Sequence, residues 1–258
     1  MQSTFSFLRK RTLFTSFALV LAVATPTAWS QSTISFPARA SDLPDGAWWN
    51  MSGDHNGSHA RDLNVARPSG GGWTNLDSNG GSANSDHLIF GVPLYAPVDG
   101  DVVSCWRNHP ENPSPGTPHS GRCCGNDCSM SCDDDKCPAA NKCTIARSGN
   151  HLAIRKANGD VVLLAHLQSG SVPAAICPNN ATFMSDARSR TGNYPTESFL
   201  RLCGSGQAPG TNNCVARRPT VKRGEFVGRA GNSGASSGPH LHLDTVTVND
   251  RSEERRVG

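Results

Sequence analysis

The stretch HLAIRKANGDVVLLAH, residues 151–166, predicts a β-hairpin and decides the class of the fold. Apolar and polar residues alternate as far as Lys156, which is typical of a half-buried strand. Asn158-Gly159 suits the two positive φ angles of a type I′ turn, and the apolar run after it leads back to His166. The sequence therefore predicts antiparallel strands joined by a tight turn.

Two further units extend this pattern in both directions along the chain. Residues 88–103 combine a short extended run, an Asp-Gly turn signal and a β-branched run, which predict a hairpin-like unit. Residues 224–228 and 239–246 predict a third. Residues 32–80 are polar and rich in turn formers, so we expect regular strands only from His87 onward. We expect an all-β protein, mostly antiparallel, with a sandwich or barrel core.

Two long segments without strand signals interrupt these units, at about residues 108–149 and 171–222. Together they contain nine of the ten cysteines, and the tenth is Cys105. In an exported chain an even number of cysteines predicts disulfides rather than a metal cluster, although spacing does not give the pairing. We expect disulfides to hold both insertions in place.

The first thirty residues predict an export signal. Residues 9–11 are basic, residues 13–24 are apolar, and Ala28-Trp29-Ser30 places small residues where a signal peptidase reads them. We expect cleavage after Ser30 and a chain that is secreted or periplasmic, without a lipid anchor or stable membrane insertion. The three basic residues of the signal account for the formal charge of +3, so the remaining chain is balanced and offers no basic patch for nucleic acid.

The rest of the chain predicts one domain and a foreign tail. Residues 31–250 are expected to form a single domain that contains both insertions. Residues 251–258 look like the translation of a sequencing adapter, so we expect them to be non-native and exclude them from the fold.

The sharpest chemical motif is His240-Leu241-His242, within an extended apolar run. Because strand side chains alternate, both imidazoles face the same side of the sheet and suit a metal ligand with a catalytic neighbour. Three other pieces precede this motif along the chain. They are His55 with Asp62, then Ala165-His166-Leu167, and then the glycine-rich residues 231–239.

In this order the motifs resemble those of the lysostaphin and LytM family of zinc endopeptidases, metallopeptidase family twenty-three. The marks of that family are a His and Asp pair, an Ala-His-Leu strand and Gly-x-His-Leu-His, and residues 91–100 are similar to its strand and turn after the Asp. The resemblance covers about residues 55–246 and implies the family's duplicated-hybrid-motif fold with an open groove. Asp244 stands where relatives usually have Glu, and Leu164 replaces a common Tyr.

The resemblance implies a single zinc ion bound by His55, Asp62 and His242, with His166 and His240 assisting catalysis. His59 is the alternative first ligand, because His59-Ala60-Arg61-Asp62 matches a turn found in some relatives. Two imidazoles and one carboxylate leave zinc an open position for water, whose pKa the metal lowers. One histidine can then accept a proton while another stabilises the oxyanion or protonates the leaving amine. The sequence does not divide these roles between His166 and His240.

We expect a secreted bacterial metallopeptidase, acting as a monomer on peptide bonds in peptidoglycan stem peptides or cross-bridges. A protease acting on glycine-rich protein is the alternative enzyme. The rivals from other classes are a non-catalytic relative that binds the cell wall or activates amidases, and a disulfide-rich inhibitor or adhesion module. The four histidines without a partner at meaningful spacing are taken as surface or structural: His87, His109, His119 and His151.

Overall fold

The computed structural model describes residues 33–52, 59–77, 80–117, 148–178, 200–209 and 214–246. The chain divides into two compact units, Met1–Thr33 and Ile34–Gly258, and every strand given below belongs to the second. The predicted export signal and the predicted foreign tail lie outside the described residues. Within the described ranges, no helix has the length and apolar character needed to cross a membrane.

The described part of the second unit consists of strands joined by turns, with two 3₁₀ helices of three residues and no α-helix. The strands are β1 (Trp48–Met51), β2 (Arg61–Ser69), β3 (Gly72–Thr74), β4 (Pro93–Tyr95), β5 (Gly100–Trp106), β6 (Asn150–Arg155), β7 (Val161–Leu167), β8 (Arg201–Leu202), β9 (Cys214–Val215), β10 (Thr220–Val221), β11 (Phe226–Arg229) and β12 (Leu241–Val246). The 3₁₀ helices are Ala40–Asp42 and Asn84–Asp86. The predicted all-β class is confirmed.

The strands form one large sheet and two small ones. The large sheet has eight strands in the order β1-β2-β12-β7-β6-β5-β10, with β3 also paired to β2, and its neighbours run antiparallel. β4 and β11 form an antiparallel pair, while β8 and β9 form a short parallel pair. The mostly antiparallel architecture predicted from the hairpin is therefore confirmed, and β12 lies in the interior of the large sheet.

The hairpin predicted at residues 151–166 is confirmed as β6 and β7. The two strands pair antiparallel from Asn150 opposite Leu167 to Arg155 opposite Val161. The turn differs in detail, because Gly159 has a positive φ of 95° and Asn158 does not. The Asn158 side chain instead accepts a hydrogen bond from the backbone N–H of Asp160 at 3.2 Å, so only the glycine of the pair needs a left-handed backbone.

The expectation that regular strands begin only at His87 is wrong. β1, β2 and β3 all lie earlier in the chain, and β2 is nine residues long. Leu63 and Val65 point into the core, whereas Asp62 and Asn64 alternate onto the opposite face and remain half-buried. The polar residues on that face are the reason why the sequence does not look like a strand.

Two of the three predicted units pair differently from the expectation. β4 pairs with β11 rather than with β5, and β5 pairs with β6. Phe90 closes a turn onto His87 instead of extending a strand, with its N–H bonded to the His87 carbonyl at 3.0 Å. β11 and β12 belong to different sheets. Turn residues specify a reversal of the chain, but pairing between distant strands depends on the core that they share.

The second insertion contains short strands and one internal disulfide, and a second disulfide ties it to β5. β8, β9 and β10 all fall within residues 171–222, which the sequence had predicted to be irregular. Cys105 on β5 is bonded to Cys177 with a Cα–Cα distance of 5.7 Å, and Cys203 is bonded to Cys214 at 4.8 Å. Disulfides thus hold this insertion, as expected. The six cysteines of the first insertion lie outside the described residues.

The core lies between the large sheet and the β4–β11 pair. Leu94 and Val227 come from the small pair, and Leu152, Leu164 and Leu241 come from the large sheet; all five are fully buried. Burying a leucine side chain of this kind contributes about 1.5–3 kcal/mol to the free energy of folding. This packing fixes one face of β12 and turns its other face, which carries His242, away from the core.

Candidate metal centre

The centre begins where β2 and β12 lie side by side. His242 is directly opposite Asp62 in the antiparallel register. The Nδ1 atom of His242 lies 3.0 Å from Oδ1 of Asp62, and Nε2 of His240 lies 3.5 Å from the same oxygen. The carboxylate is therefore bracketed by the two imidazoles of the His-x-His motif.

His166 enters from β7, on the other side of β12. Among the described residues other than glycine it alone has a positive φ, 62°. Its backbone N–H donates to the Ser148 carbonyl at 2.9 Å, and its carbonyl accepts from the Gly231 N–H at 3.0 Å. A left-handed backbone costs a residue with a side chain about 1–2 kcal/mol, and such strain is found where a side chain must be aimed. Here it directs the imidazole towards β12.

The three imidazoles form a compact cluster. The ring centroid of His166 lies 4.7 Å from that of His240 and 5.9 Å from that of His242. One nitrogen from each ring lies within 4.8 Å of the others, an arrangement that could hold a metal ion. His166 is buried, while the other two side chains stay partly open to solvent, at 14% for His240 and 24% for His242.

Backbone carbonyls determine which nitrogen carries the proton in the rings of His166 and His240. Nδ1 of His166 lies 2.8 Å from the Ser233 carbonyl, and Nδ1 of His240 lies 2.8 Å from the Gly238 carbonyl. A carbonyl only accepts hydrogen bonds, so each Nδ1 must be the donor. In the neutral ring, Nε2 of each histidine then keeps its lone pair. Burial holds the pKa of His166 well below its ordinary value of 6.5, and neighbouring His240 lowers it further, so His166 is neutral at pH 7.

The predicted site residues reach this centre to different extents. Asp62, His166, His240 and His242 come together from three separate segments of the chain. His55 lies outside the described residues. His59 is exposed at the bend just before β2. The choice between His55 and His59 as a first ligand stays a prediction.

A loop of residues 231–238, here called the backing loop, supplies both carbonyls. The Glu111 carboxylate accepts hydrogen bonds from the N–H groups of Asn232 and Ser169, each at 2.6 Å, and burial raises its pKa. The sequence drew attention to this Gly-Asn-Ser-Gly stretch but gave it no role. The acceptors that it offers to the rings of His166 and His240 are main-chain carbonyls, and its partners in residues 108–117 lie far away in sequence, so no local pattern reveals its role.

Two of the remaining histidines are structural. His151 is buried, with Nδ1 bonded to the Gly149 carbonyl at 2.9 Å and Nε2 accepting the Ser104 hydroxyl at 3.0 Å. His109 is fully buried, and its Nδ1 lies 2.7 Å from the Pro110 carbonyl. Both sit outside the cluster, as expected from the sequence.

Fold and centre together define an all-β protein with a candidate metal site built from histidines and an aspartate. No family model and no curated protein matches the chain. Among solved structures the chain is similar to a zinc containing peptidase from Vibrio cholerae, with 13% identity and a TM-score of 0.27. The match covers 72% of this chain and 46% of that peptidase, so it spans less than half of the peptidase's length. A likeness this distant carries no weight for function, and the centre has to be interpreted from its own geometry.

Proposed function

We propose that the protein is a zinc endopeptidase. The observation that carries this proposal is the convergence of Asp62 and His242 from neighbouring strands, with His166 and His240 on the same side. A carboxylate and an imidazole at one point are the oxygen and nitrogen ligands that catalytic zinc sites use. Two further imidazoles beside them match the proton-transfer groups that peptide hydrolysis requires.

The donor atoms fit a zinc ion. Two ligands bound to a tetrahedral zinc at about 2 Å each lie roughly 3.3 Å apart. Nδ1 of His242 and Oδ1 of Asp62 are 3.0 Å apart, close to that separation. We assign these two atoms as ligands, with His55 as the third and His59 as the alternative. The three-imidazole cluster is the competing ligand set.

The chain's own residues account for the proton transfers. Zinc bound here would supply Lewis acidity towards the scissile carbonyl and lower the pKa of water. Nε2 of neutral His166 is the nitrogen that can accept a proton, because the Nδ1 proton is engaged by the Ser233 carbonyl. Nε2 of His240 lies 3.5 Å from Oδ1 of Asp62, beside the proposed ligands, and once protonated it could stabilise an oxyanion or donate a proton to the leaving amine.

We propose the peptide part of peptidoglycan, stem peptides or cross-bridges, as the substrate of a monomeric enzyme. The motif resemblance and the predicted export signal motivate this choice. The disulfides on β5 and in the second insertion are consistent with an extracellular location. Glycine-rich protein is the alternative substrate, and digestion of both materials separates the two.

The test compares His242→Ala with His240→Ala in purified protein. We expect His242→Ala to lose zinc and peptidoglycan cleavage together, because it removes a ligand. His240→Ala should keep stoichiometric zinc and lose turnover, because it removes a proton-transfer group. Metal content is measured by atomic mass spectrometry, and products are identified by mass analysis of the digested wall.

The matched control is His109→Ala, which removes a buried histidine outside the cluster and should leave zinc binding intact in whatever fraction folds. Native protein without stoichiometric zinc, and with activity unaffected by a chelator, would favour the non-catalytic wall-binding relative. Loss of zinc from both cluster variants would instead assign the three imidazoles as ligands.

A further inference from the structure

The backing loop is held in place by one buried asparagine from the first insertion. Asn112 is 1% exposed. Its side-chain amide donates to two carbonyls of the loop, Gly234 at 3.1 Å and Ser236 at 3.0 Å. Its backbone N–H donates to the Asn232 carbonyl at 2.9 Å. A single residue thus contacts the loop at three points.

A second asparagine, Asn84, connects Asn112 to Asn232 of the loop. The side-chain amide of Asn84 donates to the Asn112 carbonyl at 2.7 Å, and its oxygen accepts the side-chain amide of Asn232 at 2.7 Å. All three asparagines are buried. Polar groups removed from water in this way cost free energy unless their hydrogen bonds are made, so the network specifies one loop conformation.

The contacts of Asn112 at Asn232 and Gly234 flank Ser233, and its contact at Ser236 lies two residues before Gly238. Ser233, whose carbonyl accepts the Nδ1 proton of His166, is adjacent to Gly234. Ser236 stands two residues before Gly238, whose carbonyl accepts the Nδ1 proton of His240, and the Ser236 hydroxyl lies 3.2 Å from that nitrogen. Displacing the loop therefore moves the acceptors of both rings at once.

We propose that Asn112 is a positioning residue that fixes the Nδ1-protonated tautomer of His166 and His240 by holding the Ser233 and Gly238 carbonyls in place. Its catalytic consequence rests on the proposed function, whereas its consequence for the tautomers does not. The first insertion, in addition to any effect on substrate choice, thereby becomes part of the scaffold that prepares the centre.

The test uses Asn112→Asp, which keeps the size of the side chain and replaces its two N–H donors with an acceptor. A carboxylate facing the Gly234 and Ser236 carbonyls repels them, so we expect the loop to shift. Ring nitrogens are observed by NMR in metal-free protein labelled with ¹⁵N-histidine. Native protein should show protonated Nδ1 in His166 and His240, and the variant should lose this signature in at least one ring.

Turnover is the second readout. With zinc restored, we expect kcat of Asn112→Asp to fall about 10–100-fold while KM and zinc content stay close to native values. Ser104→Ala is the matched control, because it removes a buried hydrogen bond to His151 in the same sheet without touching the loop. It should lower stability and leave both tautomers and kcat unchanged. If Asn112→Asp does not fold, uncharged Asn112→Ser replaces it with the same readouts.

Native tautomers and native kcat in the folded Asn112 variant would overturn the inference. If Ser104→Ala changed the tautomers and turnover as much as Asn112→Asp does, the inference would also be overturned. The effect of Asn112 would then be explained by a general loss of stability. A native protein without peptidase activity would refute the proposed function alone, since the tautomers of the metal-free protein still decide the role of Asn112.

Discussion

Single substitutions can decide whether His55 or His59 is the first zinc ligand. We expect His55→Ala to weaken zinc binding by more than the roughly 10–100-fold typical of a residue that only supports a ligand. His59→Ala should leave binding near the native value, because His59 is exposed at the bend before β2. Zinc titration with a competing chelator measures both. The reverse ranking would assign His59 as the ligand, and two unaffected variants would point to the three imidazoles.

The side chains of the centre can be predicted from the sequence, whereas the main-chain groups that orient them cannot. His240 and His242 lie on one side of the sheet because strand alternation is a local property. Ser233 and Gly238 act through main-chain carbonyls, which every residue possesses, so their identity gives no signal. The positive φ of His166 is equally absent from the sequence, because a histidine gains it only from the bonds on either side of it.

Among the structural elements, the backing loop passes very close to the end of β7. A Cβ atom added at Gly231 would lie 2.5 Å from both the Cα and the N of Gln168, and backbone atoms cannot move aside cheaply. We expect Gly231→Ala to lower the free energy of unfolding by about 1–3 kcal/mol through overpacking. Urea denaturation followed by circular dichroism measures the change.

Gly72→Ala provides the control for this prediction. Gly72 lies on β3 with an ordinary backbone, and the nearest atom to an added Cβ is the Ser69 carbonyl oxygen at 3.8 Å. Its substitution should change stability by less than about 0.5 kcal/mol. Equal losses in the two variants would mean that close approach to Gln168 is not the cause.

Some strands and pairings could be predicted from the sequence, and others could not. β6 and β7 were predictable because their turn and their alternation lie within one short stretch. β2 was missed because Asp62 and Asn64, on the face turned away from the core, interrupt its apolar character. The pairing of β4 with β11 depends on Leu94 and Val227 sharing a core, which no local pattern encodes.

For the whole molecule, buried neutral histidines predict how stability depends on pH. Burial lowers the pKa of His166, His151 and His87 below 6.5, so these rings stay neutral in the folded protein while the unfolded chain binds protons. The stability that they contribute is present above pH 6.5 and is lost as the pH falls. Each ring contributes a slope of at most about 1.4 kcal/mol per pH unit. Glu111, with its raised pKa, opposes this trend at more acidic pH.

We expect the free energy of unfolding of the chelator-treated protein to fall between about pH 7.5 and pH 5.5. His151→Gln removes one titrating ring outside the metal centre and should make that fall shallower. Urea denaturation at constant ionic strength measures both slopes. A native protein whose stability rises on acidification, or an unchanged slope in His151→Gln, would contradict the prediction.

The place of β12 between β2 and β7 also sets the order of events when a ribosome makes the chain. Asp62 and His242 are 180 residues apart, so at about 5–20 residues per second the aspartate emerges roughly 9–36 s before its partner. Throughout that interval β2 lacks its partner β12, and β7 lacks the same partner from the moment it is made, so each presents an unpaired edge. The nascent polypeptide therefore has no assembled centre until β12, the last of the described strands to be made, inserts between β2 and β7.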